Sequence, residues 1–175
     1  MRRSFTLHAG AQLALATAAL AVSACAAVPG LPPLPGEGIL LGAGFALLFP
    51  LHAATIFRSW GHVSDRAYQW QAFKALPHRV HALLVGLGLA GGLLLSGAFP
   101  NDGTGLQATE VVRGRYFAVD TTDPERRNFE VTRSRYEALS KQGQRDMFAI
   151  YGLVAAGGGA LTLIFAKLDS WAGRS

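Results

Sequence analysis

The stretch Glu110-Val-Val-Arg-Gly-Arg-Tyr-Phe-Ala-Val119, Asp120-Thr-Thr-Asp-Pro-Glu-Arg-Arg127, Asn128-Phe-Glu-Val-Thr132 is polar, in a chain that is otherwise largely apolar. It belongs to a segment, Pro100 to Asp146, that carries most of the charged residues. Tyr116 and Ala118 alternate with Phe117 and Val119, and Phe129 and Val131 flank Glu130. That period of two is the mark of half-buried strands. Asp123-Pro124 marks the connection, with proline presetting the turn. A lone hairpin is marginal in water, so it requires a cover, and the helix-forming run from Ser134 supplies one. Ser134-Arg-Tyr-Glu137 matches a capping box. Tyr136 and Leu139, three apart on one helix face, are expected to pack against Phe129 and Val131. Gly143 weakens that helix just before Met147 and reads either as a hinge or as a glycine that loose packing tolerates. The segment reads as strand, turn, strand, helix.

The flanking sequence decides what carries this module. Half of the 175 residues are hydrophobic, 15% are charged and 21 are glycine, a composition of the membrane class. Apolar runs cover about 11–28, 39–57, 80–99 and 147–166, each near the ~20 residues that a helix needs to cross a bilayer. The expected fold is therefore mostly α and integral to the membrane. It is a four-helix transmembrane bundle, with a β-hairpin-plus-helix module at 100–146 between spans three and four.

The first run has two readings. Arg2-Arg3, an apolar middle and the small residues around Ala24 fit a retained first span. The alternative, less favoured given the further spans downstream, is an export signal with Val22-Ser23-Ala24-Cys25 as a lipoprotein processing box. Pro29 to Gly38, with four prolines, cannot be helical and makes a stiff connector. Pro50 should kink the second span. Between spans two and three, Ser64 would cap a short helix whose Trp60, Tyr68, Trp70 and Phe73 suit the headgroup layer. Small residues recur every four positions at Gly38, Gly42 and Ala46, at Gly88, Gly92 and Ser96, and at Gly152, Ala156 and Ala160. This spacing lets helices approach closely. Gly88, Gly92, Gly152 and Ala156 are the positions through which an oligomer would pack.

With spans alternating sides, the N-terminus, Arg58–Arg79 and the tail share one face. Eight Lys/Arg lie there, with Asp65 and Asp169 as the acids, against eight Lys/Arg diluted by nine acids on the other. Arg2, Arg3, Arg58 and Arg79 flank span ends closely, so the N-terminus is expected inside and the module outside, although Lys141 and Arg145 oppose this. The expected location is a bacterial plasma membrane.

The order Tyr116-Phe-Ala-Val119, Phe129-Glu-Val-Thr132, Tyr136 and then a span resembles a loop of small uncharacterised bacterial multi-pass membrane proteins. In those proteins a short hairpin with an EVS…EY-like end precedes the last helix. Here Thr132 replaces the usual Ser, and Glu137 follows Tyr136 where Glu would precede it. The resemblance spans about forty residues and implies architecture, not activity.

The chemistry-bearing residues are few. The single cysteine, Cys25, excludes an internal disulfide. Basic residues are interspersed with acids, with no block that would suit nucleic acid. No GxSxG, HExxH or GxxxxGK[ST] motif occurs, and Gly157-Gly158-Gly159 lies mid-span, where it marks close helix contact. Asp120, Asp123 and Glu125 offer a weak cation site or, more simply, a solvated turn. His52, His62, His78 and His81 gather near one membrane face. His52 and His81 are candidate haem ligands across two helices, or ordinary interfacial histidines. The sequence thus predicts a non-enzymatic protein that meets the lipid bilayer and another membrane or envelope protein. Its contact surface would comprise Arg113, Arg115, Arg126, Arg127 and Glu130. The alternative is a haem- or quinone-linked electron-transfer subunit using His52 and His81.

Overall fold

A computed structural model describes residues 3–59, 66–96 and 105–172. Trp60, His62, Ser64 and Asp65, named above, lie outside the described residues. The elements in order are α1 (Arg3–Ala27), α2 (Glu37–Ser59), α3 (Arg66–Lys74) and α4 (His78–Leu95), then β1 (Leu106–Val112), β2 (Arg115–Asp120), β3 (Asn128–Val131) and α5 (Arg133–Ala172). Among the described residues, α1, α2, α4 and α5 are long and apolar enough to cross a membrane. The fold is mostly helical, with a small antiparallel sheet.

α1 and α5 form the core seam. Phe5, Ala9, Gln12, Ala16, Ala19 and Ser23 of α1 are buried. They alternate at spacings of four and three, the heptad pattern of helices in prolonged contact. On α5, Phe148, Gly152, Ala155, Gly159, Thr162 and Ala166 are buried at the same spacing. The helices run antiparallel. Ser23 Oγ donates to the Arg145 carbonyl at one end, Gly152 meets Leu20 and Ala16, Gly159 meets Leu13 and Ala9, and Phe5 packs with Phe165 and Ala166 at the other end. Small residues let the backbones approach, and dispersion replaces the missing hydrophobic drive. The outer surfaces of α2 and α4 are apolar and exposed, as at Ile39, Phe49, Phe57, Val85 and Leu89, which is the arrangement a lipid-facing surface requires.

Several boundaries differ from expectation. α1 begins at Arg3, eight residues before the first apolar run, because its polar start packs against α3 and the end of α5. α4 starts at His78, with Val80 N–H and His81 N–H both donating to the Pro77 carbonyl, and is described to Leu95; the expected end at 99 lies outside the described residues. Pro50 lies within an α2 that is helical on both sides of it. The largest correction concerns α5. The module's helix and the fourth span are one element of 40 residues, and Gly143 lies inside it with no break. Gly143 has no neighbour within 4 Å of where a Cβ would stand, so its absent side chain leaves space on the surface without interrupting the helix.

The small-residue stripes also divide. Gly152 and Ala156 are buried, and Gly152 is packed by α1 of the same chain. Gly38, Gly42, Gly88 and Gly92 have nothing within 4 Å of a Cβ position. The close contacts of α2 and α4 are made instead at Gly44, against Tyr151, and at Gly91, against Leu153.

Candidate functional site

The module is a three-stranded meander of order β1-β2-β3, not a two-stranded hairpin. The run Glu110–Val119 contains a reversal: Arg113 and Gly114 form a two-residue loop with φ of 51 and 79. Both values lie in the left-handed region that the right-twisted hairpin turn needs. Val112 pairs with Arg115 and Val111 with Tyr116 on either side of it, and a register shift follows between Ala108 and Val111. Tyr116 pairs with Val131 and Ala118 with Phe129, so the expected return strand is present.

α5 holds this sheet from Thr132 downward. The cap is Thr132, not Ser134: Thr132 Oγ1 accepts from the Arg135 N–H at 3.3 Å, and Glu137 turns outward to pair with Arg133. Tyr136 meets Tyr116, ring centroids 5.3 Å apart, and Ala118 and Leu139 are buried. The expected contact of Tyr136 and Leu139 with Phe129 and Val131 is displaced because α5 lies over β1 and β2. β3 is left as an outer strand, with Phe129 exposed.

A second attachment ties the proline-rich connector to α5. Gln144, almost fully buried, donates Nε2 to the Leu34 carbonyl and accepts the Leu34 N–H on Oε1, at 3.0 and 2.8 Å. Lys141 Nζ donates to the Val28 carbonyl at 2.7 Å. The sheet thus packs on the first turns of a helix that continues unbroken into the bundle, and that helix is tied in turn to the proline-rich connector.

The surface residues fall into two groups. Arg115 and Glu130 form an ion pair across β2 and β3, with the Arg115 guanidinium 5.9 Å from the Phe117 ring centre. The arginine holds the Glu130 carboxyl below its ordinary range. Arg113 sits next to them in the β1–β2 loop. Arg126 and Arg127 lie at the opposite end of β2, a separation of about 17 Å over six residues of strand. There Arg127 pairs with Glu125, and Arg126 takes a left-handed φ of 45. The turn acids serve their own loop: Asp120 accepts the Thr122 N–H and hydroxyl, which lowers its pKa. Asp123 accepts the Glu125 N–H. Because β1 starts after α4 and α5 re-enters the bundle beyond Gly143, the 121–127 connector is on the bundle side and the Arg113-Gly114 loop is at the far tip.

Among the described residues, His52 and His81 are not brought into one site. His52 Nδ1 donates to the Leu48 carbonyl at 3.0 Å, and its ring fills the space where a Gly158 side chain would stand. His81 Nε2 lies 3.0 Å from the Phe73 carbonyl. Its ring meets Phe73 edge to face and lies 6.4 Å from His78. One imidazole is thus against α5 and the other in the corner of α3 and α4. Among the described residues no three His, Cys, Asp or Glu side chains are grouped to hold a metal.

Sequence reading missed a polar cluster within the bundle, where Thr55 Oγ1 and Thr162 Oγ1 lie 2.9 Å apart. Thr162 also faces the Gly158 carbonyl and Gln12 Oε1, and Gln12 Nε2 is buried without a partner. A threonine hydroxyl has one proton, so it cannot serve all three acceptors. With the Gln12 amide turned over, Nε2 donates to Thr162 while Thr162 donates to Gly158, which satisfies the orphan donor. The signal was one Gln and two Thr at the spacing of the buried stripes.

Comparison of the chain with family models, curated proteins and solved structures finds no match. Geometry alone therefore bears on function.

Proposed function

We propose that the chain is a multi-pass membrane protein acting by non-covalent recognition, with the sheet's outward face as the contact for another membrane or envelope protein. The observation that carries this reading is the mounting of the sheet. A binding face held in one pose avoids the ordering cost that a mobile loop would meet on association. The outward face combines a partly exposed aromatic, Phe117, with the Arg115–Glu130 pair, and aromatic and arginine side chains are over-represented at binding hot spots. We read the location as a bacterial plasma membrane, with the N-terminus inside and the module outside, from the basic residues that flank the first three spans. α1 is read as a permanent span, because its buried Gln12 and Ser23 bond to α5.

Site-specific photocrosslinking in intact cells tests the reading. A photoreactive phenylalanine analogue at Phe117 or Asn128 should give a discrete adduct with a second protein. The same analogue at Leu89, on the lipid-facing side of α4, should not. Identical adduct patterns at all three sites, or none at Phe117 and Asn128, would exclude the outward face as the contact.

A further inference from the structure

Between β1 and the Tyr136–Ile150 stretch of α5 lies an open cleft of about 400 Å³. Its position follows from the fold. Leu106 and Thr109 of β1 form one wall, Leu139 and Gly143 of α5 form the other, and Glu37 enters at the start of α2. Met147 and Ile150 complete the lower rim, each 46% exposed. These residues begin the fourth apolar run, so the cleft opens where the bundle meets the headgroup layer.

The charges of the cleft are unbalanced. Among the described residues, Glu37 and Asp146 are the charged side chains that line it, and both are acids. Asp146 is offset by Arg145, whose Nε lies 3.0 Å from Oδ1. Glu37 hydrogen-bonds with the Gln144 side chain, whose Nε2 carries a second N–H besides the one given to Leu34, while Glu37 Oε2 is buried with no hydrogen-bond partner. A buried carboxylate oxygen without a donor has a cost that an incoming N–H removes.

We propose that this cleft binds a primary ammonium group, with Glu37 as its counter-ion and with Leu106, Leu139 and Met147 contacting the apolar part of the same molecule. An ammonium brings three N–H donors. The Glu37 carboxylate takes the charge-assisted bond, and the Ser140 hydroxyl, which also lines the cleft, accepts another. A divalent metal suits the wall less, because hard cations require several oxygen ligands with more uncompensated charge. The ammonium comes either from an ethanolamine-type lipid headgroup at that depth or from a soluble amine, and the two sources share this chemistry.

The test uses the full chain in detergent and reads its unfolding midpoint against added short-chain phosphatidylethanolamine, short-chain phosphatidylcholine and free ethanolamine, since a ligand of the folded state raises the midpoint. The ethanolamine lipid should raise the midpoint, and the choline lipid, which has no N–H donors, should not. A rise with the lipid alone assigns a headgroup; an equal rise with free ethanolamine assigns a soluble amine. Glu37→Gln should weaken the effect by roughly tenfold to a hundredfold, the range for a lost charge-assisted bond. Gly143→Leu fills the cleft from a position with open space around its Cβ and favours the helix. It should abolish the effect in a protein that folds at least as well, and it decides alone if Glu37→Gln does not fold. No rise with either amine, an equal rise with the choline lipid, or undiminished response in Gly143→Leu would overturn the proposal.

Discussion

Gly157, Gly158 and Gly159 are consecutive in the middle of α5, and alanine at each should affect stability differently because each faces a different neighbour. An alanine in place of glycine inside a helix gains about 1 kcal/mol from backbone entropy alone. At Gly157 a Cβ meets nothing within 4 Å, so Gly157→Ala should keep most of that gain. At Gly159 the Cβ would lie 2.9 Å from Leu13 Cδ2 and Cγ and 3.5 Å from the Ala9 carbonyl. A leucine tip can shift, so overpacking and propensity should nearly cancel, leaving a net change of about zero. At Gly158 the Cβ would stand 2.1 Å from His52 Nε2 and 2.3 Å from Cε1. The ring must then leave its place, lose its bond to the Leu48 carbonyl and disturb Thr55 three residues on. Overpacking in a close-packed interior typically costs 1–3 kcal/mol, and a lost hydrogen bond adds about 1, so the net loss should be roughly 1–3 kcal/mol. Denaturant unfolding of the detergent-solubilised protein, followed by circular dichroism, ranks the three variants. The expected order is Gly157→Ala above wild type, Gly159→Ala near it and Gly158→Ala below. Equal shifts for all three, or Gly158→Ala at or above Gly157→Ala, would refute the placement of α2 against α5.

Two further expectations concern the module. Gln144→Leu removes both bonds to Leu34 and strands a backbone N–H and a carbonyl, at a cost of roughly 1–3 kcal/mol; hydrogen exchange of the Leu34 amide should quicken while that of the β2 amides does not. Arg115 depresses the folded-state pKa of Glu130, so this pair's contribution is present above the unfolded carboxyl pKa and is lost as pH falls through the lower folded value. Carbon-detected NMR titration should place the Glu130 midpoint below an ordinary glutamate, and Arg115→Ala should move it upward. An unchanged midpoint in Arg115→Ala would remove the arginine as the cause.

The sequence by itself determined the number of helices apolar enough to cross a membrane, the polar module between the last two, and the β2–β3 pairing. These are local patterns of hydropathy and strand alternation, and the observed pairs Tyr116–Val131 and Ala118–Phe129 follow them. It did not reveal β1, because Arg113-Gly114 lacks the asparagine or aspartate that usually announces such a loop, and the strands around it read as one. Nor did it join α5 across Gly143, since a glycine that breaks an isolated helix is tolerated where both flanks are packed. Which small residues make contacts was equally hidden: four-residue spacing is the same on Gly88, which faces outward, and on Gly152, which Leu20 and Ala16 cover. The separation of His52 from His81, the polar cluster at Thr162 and the cleft beside Glu37 were decided by tertiary structure alone. Each depends on which faces of helices far apart in the chain turn toward one another, and that outcome belongs to the packing of the whole chain.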